Sequence, residues 1–150
     1  MAQTFVSSIF HIVFSTKDRL PLIDQAMRPR LYEFIGGVIK HDKGTPIKIG
    51  GDTDHLHICS IMDKNICIPD ALRSIKSSSS LWIHRTYPAL SGFAWQTGYG
   101  AFSISKSGVP RVVAYIDNQE EHHKTVTFQE ELLEFLRIHE IPYDPKYIWE

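Results

Sequence analysis

The order of elements predicts an α+β fold of the ferredoxin-like (RRM-like) kind, an antiparallel sheet with helices on one face, followed by further C-terminal helices. Three observations carry this. Segments 8–15, 53–62 and 99–105 are β-branched and aromatic or alternate with a period of two, as strands do. Segments 25–41 and 69–84 space their apolar residues three and four apart, as helices do. With a short strand at 47–49, the types run βαββαβ, an order that lets two helices share one face of a sheet.

Residues 8–15 (SIFHIVFS) form the first strand, with Phe10, Ile12 and Phe14 on one face. Lys17, Asp18 and Arg19 make a charged loop at its exit. Met27, Leu31, Phe34, Ile35, Val38 and Ile39 are the stripe of the first helix, with Asp24 as its N-cap and Pro29 in its first turn. Gly36-Gly37 weakens that helix internally. Gly44-Thr45-Pro46 breaks the chain before the strand at 47–49, and Gly50-Gly51-Asp52 signals a turn into an antiparallel partner at 53–62. After a loop at 63–68, Pro69 opens a second helix to 84, with Leu72, Ile75 and Trp82 as apolar contacts. Serines 77–80 favour fraying or a kink within it. Phe93-Ala94-Trp95 and 99–105 read as strand, interrupted at 96–98. Ser107-Gly108-Val109-Pro110 starts a third helix, and Thr127-x-x-Glu130 is a capping box opening a fourth with Leu132, Leu133 and Leu136. The aromatics of Tyr147-Ile148-Trp149 are expected to dock on a surface.

At 150 residues the chain is expected to form one domain, 1–150, with a proper core, and 43% hydrophobic with 22% charged residues is ordinary for a globular protein. A formal net charge of −1 gives no global field for a polyanion, so a nucleic-acid partner would be held by local clusters of Lys and Arg. Two cysteines, Cys59 and Cys67, make no disulfide framework and predict a reducing cytoplasm, with Cys59 a small buried hydrophobe. Met-Ala-Gln-Thr-Phe lacks a basic segment leading into an apolar run, so no signal peptide is expected. No apolar stretch approaches the roughly 20 residues that cross a bilayer.

The chemistry starts at Thr53-Asp54-His55-Leu56-His57-Ile58-Cys59. In a strand His55 and His57 share one face, about 7 Å apart along it, while Leu56 and Ile58 anchor the other face in the core. Two imidazoles so placed can grip one cation. In the third helix, Tyr115 and Gln119 lie one turn apart on a face distinct from the Val109, Val113 and Ile116 stripe. Gln119 offers an amide oxygen, so His55, His57 and Gln119 supply two nitrogens and one oxygen with coordination positions left open. A tyrosine beside a metal-bound phosphodiester becomes a nucleophile if a positive centre favours its phenolate, and attack would leave a phosphotyrosine link.

His55-Leu56-His57 resembles the HUH motif (histidine, hydrophobic, histidine), and Ala114-Tyr115-Ile116-Asp117-Asn118-Gln119 resembles its single-tyrosine helix. Phe14-Ser15-Thr16-Lys17-Asp18-Arg19, the run from Trp95 through Ser103, Glu120-Glu121-His122-His123 and Thr127-Phe128-Gln129-Glu130-Glu131 complete the likeness. Throughout its length the chain is similar to the single-tyrosine HUH transposases of small insertion sequences, which move single-stranded DNA. The resemblance implies that His55, His57 and Gln119 hold Mg²⁺ or Mn²⁺ and that Tyr115 attacks the scissile phosphate, leaving a 5′-phosphotyrosine and a free 3′-hydroxyl. It also implies a homodimer that recognises DNA hairpins at element ends and uses no nucleotide cofactor. Whether the tyrosine helix completes its own subunit's site or a partner's stays open at this level. Hairpin binding would rest on local charges such as Lys17, Arg19, Arg73, Lys76 and Arg85.

Two other classes compete. Gly98-Tyr99-Gly100 matches part of an RRM signature, which would make the chain a non-catalytic single-stranded nucleic-acid-binding module. Thr97 stands where a basic residue is expected, however, and Ala101 where an aromatic should stack a base. The other class is a metal-dependent hydrolase with a water nucleophile, in which Tyr115 would be dispensable.

Overall fold

Alternation along β1 (Ile9–Ser15) and β3 (His55–Ile61) sorts the side chains between two layers. The computed structural model describes residues 2–150. Its remaining elements are α1 (Arg28–His41), β2 (Thr45–Gly51), α2 (Ile68–Thr86), β4 (Gly100–Ser103), α3 (Val109–Asp117), α4 (Gln119–His122) and α5 (Phe128–Ile138). The sheet order is β2-β3-β1-β4 with every pair antiparallel, the ferredoxin-like arrangement expected from the sequence.

Ile12 and Phe14 of β1 and Leu56 and Ile58 of β3 turn toward α1 and α2, where they meet Leu31, Ile35, Ile39, Leu72, Ile75 and Ile83. Each such side chain contributes roughly 1.5–3 kcal/mol by leaving water. The other face carries His11, Val13, His55, His57 and Cys59, and α3, α4 and α5 cover it. Both faces are therefore roofed, by two long helices on one side and three short ones on the other. Among the described residues no helix is long and apolar enough to cross a membrane.

Several local expectations are corrected. Helix α1 starts later than Asp24, whose Oδ1 instead accepts from the Met27 N–H at 2.9 Å upstream of the helix. The serines do not kink α2. Ser77 Oγ donates to the Arg73 carbonyl at 2.7 Å, and Ser79 Oγ accepts the Trp95 indole N–H at 2.9 Å, so their hydroxyls are satisfied without breaking the ladder. Phe93-Ala94-Trp95 is not a strand. Trp95 makes one bridge to Thr16, and the next residue, Gln96, takes the Ser15 N–H through its side-chain oxygen at 2.6 Å. The C-terminal aromatics divide: Trp149 docks beside Val13, Phe128 and Leu132, whereas Tyr147 is exposed.

Gly50-Gly51 also differs, for it extends β2 and the turn falls at 52–54. Gly50 pairs with His57, and a Cβ there would sit 2.7 Å from Ile116 Cγ2 and 2.9 Å from the Ile116 carbonyl oxygen. The missing side chain lets α3 lie directly on the sheet beside His57.

Candidate active site

His55 and His57 are fully buried and present Nε2 toward one point, while each Nδ1 is held from behind. Asp54 Oδ1 lies 2.7 Å from Nδ1 of His55, and Nε2 of His11 lies 2.7 Å from Nδ1 of His57. An ionised carboxylate only accepts, so Asp54 places the His55 hydrogen on Nδ1. Nε2 of His55 faces the amide oxygen of Gln119 at 2.9 Å. A ring nitrogen and an amide oxygen converging in this way are ligand atoms that one cation can share.

Helix α3 brings Tyr115 to this point because Val109 and Ile116 pack against Ile9 and Cys59. Contrary to expectation, Tyr115 and Gln119 are not on one continuous helix. Helix α3 ends at Asp117, Asn118 departs from helical geometry at φ −95° and ψ 14°, and α4 begins at Gln119. The Gln119 side chain still enters the interior because its neighbour Glu120 is clamped. Arg28 Nη1 donates to Glu120 Oε1 at 2.6 Å, its Nη2 lies 3.5 Å from Asp52 Oδ1, and its Nε donates to the Ile23 carbonyl at 3.3 Å. Tyr115, Gln119 and both histidines meet within a single chain.

Glu131 was not foreseen as a site residue, yet everything converges on it. It lies on α5, started by the expected Thr127–Glu130 capping box, on the inward side with Phe128 and Leu132. Only 3% of its surface is exposed. Its Oε1 is 2.7 Å from His57 Nε2, and its Oε2 accepts from Gln119 Nε2 at 3.1 Å and from His123 Nε2 at 3.1 Å. The Tyr115 hydroxyl donates to the same Oε2. His122 Nε2 stands 3.3 Å from the Tyr115 hydroxyl. A carboxylate inside an apolar helical stripe was the available signal for Glu131, as was the adjacent His122-His123 pair for the imidazoles.

The electrostatics follow from burial and this carboxylate. Burial, with His57 adding to it, lowers the pKa of His11 to about 3. Burial also lowers that of His57 to about 4 against the pull of Glu131, so both are neutral imidazoles near neutrality. For Glu131 burial opposes ionisation, but hydrogen bonds from His123 and His57 outweigh it and hold the carboxyl far below its ordinary range. His123 is shifted upward, burial being overcome by its bond to Glu131. The Tyr115 phenol is pushed well above 10 by burial and then by Glu131, so it is protonated in this arrangement. Tyr115 and His122 are only partly buried, which makes their side the opening of an otherwise closed cluster.

Ligand atoms of His55, His57, His123 and Glu131 lie within 4.8 Å of one another. Two imidazoles, a carboxylate and the Gln119 amide oxygen are a donor set that fits a divalent cation.

The basic residues named from the sequence are dispersed. Lys17 and Arg19 lie just past β1, at the end of the sheet where the Thr16 N–H bonds to the Asp54 carbonyl at 2.8 Å. Asp18 and Arg19 both have φ of 56°, an unusual left-handed pair for non-glycine residues. The Arg19 guanidinium sits over the Trp149 ring, 5.5 Å from its centroid. Arg73, Lys76 and Arg85 are on α2, across the sheet from the histidines. Arg73 is exposed and pairs with Asp70 at 2.7 Å, and Arg85 is exposed in the last turn. Lys76 is committed inward, donating to the carbonyls of Gln96, Thr97 and Gly98 at 2.9, 3.3 and 2.6 Å.

A family profile described as "Transposase IS200 like" matches residues 4–119. The chain belongs to the IS200-like transposase family and is a DNA transposase. Among solved structures it is similar to a candidate transposase from Deinococcus radiodurans R1, at 18% identity and a TM-score of 0.65 over 79% of this chain and 96% of that one. It is likewise similar to a REP-associated tyrosine transposase bound to a REP hairpin, at 15% identity and a TM-score of 0.61 over 84% of this chain and 74% of that one. At these identities the two structures establish the shared fold. No curated protein matches the sequence.

Proposed function

We propose that this chain is a single-tyrosine HUH transposase that cuts and rejoins single-stranded DNA through a 5′-phosphotyrosine intermediate, residues 1–150 acting as one domain. The observation that carries this is the convergence of Tyr115, Gln119, His55 and His57 around one buried point in a single chain.

His55, His57 and Gln119 would hold Mg²⁺ or Mn²⁺, with Glu131 a further oxygen beside them. A bound divalent ion supplies Lewis-acid polarisation of a phosphate oxygen and a positive centre that favours phenolate. The chain's own groups do the rest. Tyr115 Oη attacks phosphorus, and its proton leaves along the hydrogen bond to Glu131 and on to water, since a carboxyl held so far below its ordinary range passes a proton on and does not keep it. The bond from phosphorus to the 3′ oxygen breaks, its electron pair stays on that oxygen, and protonation there gives a free 3′-hydroxyl. The 5′ phosphate remains on Tyr115. Attack by a second 3′-hydroxyl reverses the exchange, one phosphodiester traded for another.

DNA enters from the Tyr115–His122 side. The hairpin-bound neighbour supports hairpin recognition here as well. Lys17, Arg19, Arg73 and Arg85 offer phosphate contacts, while Lys76 acts by shaping the 96–98 loop. We retain the homodimer as the assembly, each subunit closing its own site.

The test is Mn²⁺-dependent cleavage of a single-stranded oligonucleotide carrying a hairpin. Wild type should cut only with metal, His57→Ala should lose both metal affinity and cutting, and Tyr115→Phe should bind metal and not cut. Cutting by the Phe variant would move the assignment to a hydrolase with a water nucleophile.

A further inference from the structure

The bond between His11 and His57 has a direction that a bound cation must reverse. In the present arrangement ionised Glu131 only accepts, so the hydrogen on its 2.7 Å contact belongs to His57 Nε2. Neutral His57 then has a bare Nδ1, and the hydrogen in the 2.7 Å contact with His11 belongs to His11 Nε2. A cation needs the Nε2 lone pair of His57 and so forces its hydrogen to Nδ1. His11 Nε2 must then accept where it had donated.

We propose that His11 is the positioning residue of the metal site, changing tautomer in concert with His57 so that the contact between the two rings stays hydrogen-bonded in either state. The hydrogen between the rings moves from His11 Nε2 to His57 Nδ1. The proton on His57 Nε2 leaves through Glu131 to water, and water returns one to His11 Nδ1. The pair keeps two protons and no net charge. His11 suits the task because it is locked in place: its ring packs against Phe135 at 5.1 Å, Tyr115 at 6.1 Å and Phe102 at 6.4 Å between centroids. Its remaining 4% exposure gives water a route to the ring. His55 needs no such partner, since Asp54 accepts from its Nδ1 whether or not metal is bound. The two ligand histidines are thus supported differently, one by a fixed acceptor and the other by a group that can act as donor or acceptor.

This inference rests on the metal site proposed above, and the experiment separates the two. Long-range ¹H–¹⁵N spectra of histidine-labelled protein report each ring's tautomer, first with chelator and then saturated with Mg²⁺. The expected result is that His11 and His57 both change from the Nε2–H to the Nδ1–H form. A second arm measures Mn²⁺ affinity by electron paramagnetic resonance of the free ion. His11→Leu, which can neither accept nor donate, should bind about 10- to 100-fold more weakly. His11→Gln, whose amide can present either oxygen or NH₂ near the Nε2 position, should recover most of that loss. If Mg²⁺ binds while His11 keeps its tautomer, or if Leu and Gln weaken Mn²⁺ equally, the relay is wrong and the metal site stands. If wild type binds neither ion, both fall.

Discussion

Tyr115 gives its hydroxyl hydrogen to one oxygen of Glu131, and the other oxygen of that carboxylate lies 2.7 Å from Nε2 of His57. The proposed nucleophile and a proposed metal ligand are thus joined through a single buried anion. That anion opposes formation of a second negative charge on the phenol. Glu131→Gln should lower the Tyr115 pKa relative to wild type, followed by ¹³Cζ chemical shift in tyrosine-labelled protein without metal. An unchanged titration would show that Glu131 does not control the phenol.

Acid should destabilise the metal-free protein, beginning below pH 6.5. The sign follows from the two neutral histidines: His57 and His11 titrate near 4 and 3 when folded, against an ordinary 6.5. Between those limits the unfolded chain binds more protons, so unfolding becomes progressively easier as pH falls. Glu131, held low, adds to the loss below its ordinary 4.5, whereas the raised His123 works in the opposite direction at higher pH. Denaturant melts at pH 7 and pH 5 should differ by on the order of 2 kcal/mol for one such histidine. Equal stability at the two values would contradict the buried neutral pair.

Gly50→Ala should separate α3 from the sheet. The new Cβ would meet Ile116 at 2.7 Å on its side chain and 2.9 Å on its backbone, where the helix cannot simply rotate a side chain away. A stability loss of about 1–3 kcal/mol is expected. Displacing Tyr115 by about an ångström should cost on the order of 100-fold in cleavage rate below the melting temperature. Wild-type cleavage by this variant would mean that the register of α3 on β2 is not what aligns the tyrosine.

Arg28→Met tests the clamp behind Gln119. Arg28 is buried, while Glu120 keeps 55% side-chain exposure and can rehydrate, so the expected loss is about 1–3 kcal/mol. A double-mutant cycle with Glu120→Gln should show coupling of about 0.5 kcal/mol or more. Additive effects would remove the clamp from the account.

The fold was legible because its strands and helices obey simple periods. Leu56 and Ile58 against His55 and His57 is a period of two, and Leu31, Ile35 and Ile39 is a period near 3.6. What sequence alone concealed was tertiary. Gly50 looked like a turn residue, and only the packing of Ile116 shows why no side chain fits there. The break at Asn118 carries no glycine or proline, and it arises where Arg28 captures Glu120. Lys76 had the sequence character of a surface charge until the 96–98 carbonyls were folded over it. Tyr115, Gln119, His55 and His57 were singled out together by residue type, by spacing and by the family resemblance, and the structure brings them to one point, though not along one continuous helix. Glu131 and His11 were harder, because their importance lies in register: His11 sits diagonally from His57 across paired strands, and Glu131 reaches the site from a separate helix.

The most direct test of the tyrosine mechanism is a denaturing gel of protein incubated with Mn²⁺ and a hairpin-bearing single strand labelled at one end or the other. A 5′-phosphotyrosine predicts a heat-stable band, at the mass of protein plus DNA, that carries the 3′ label and not the 5′ label, and that is absent with Tyr115→Phe. Cleavage without any covalent band, or the same band from the Phe variant, would contradict it.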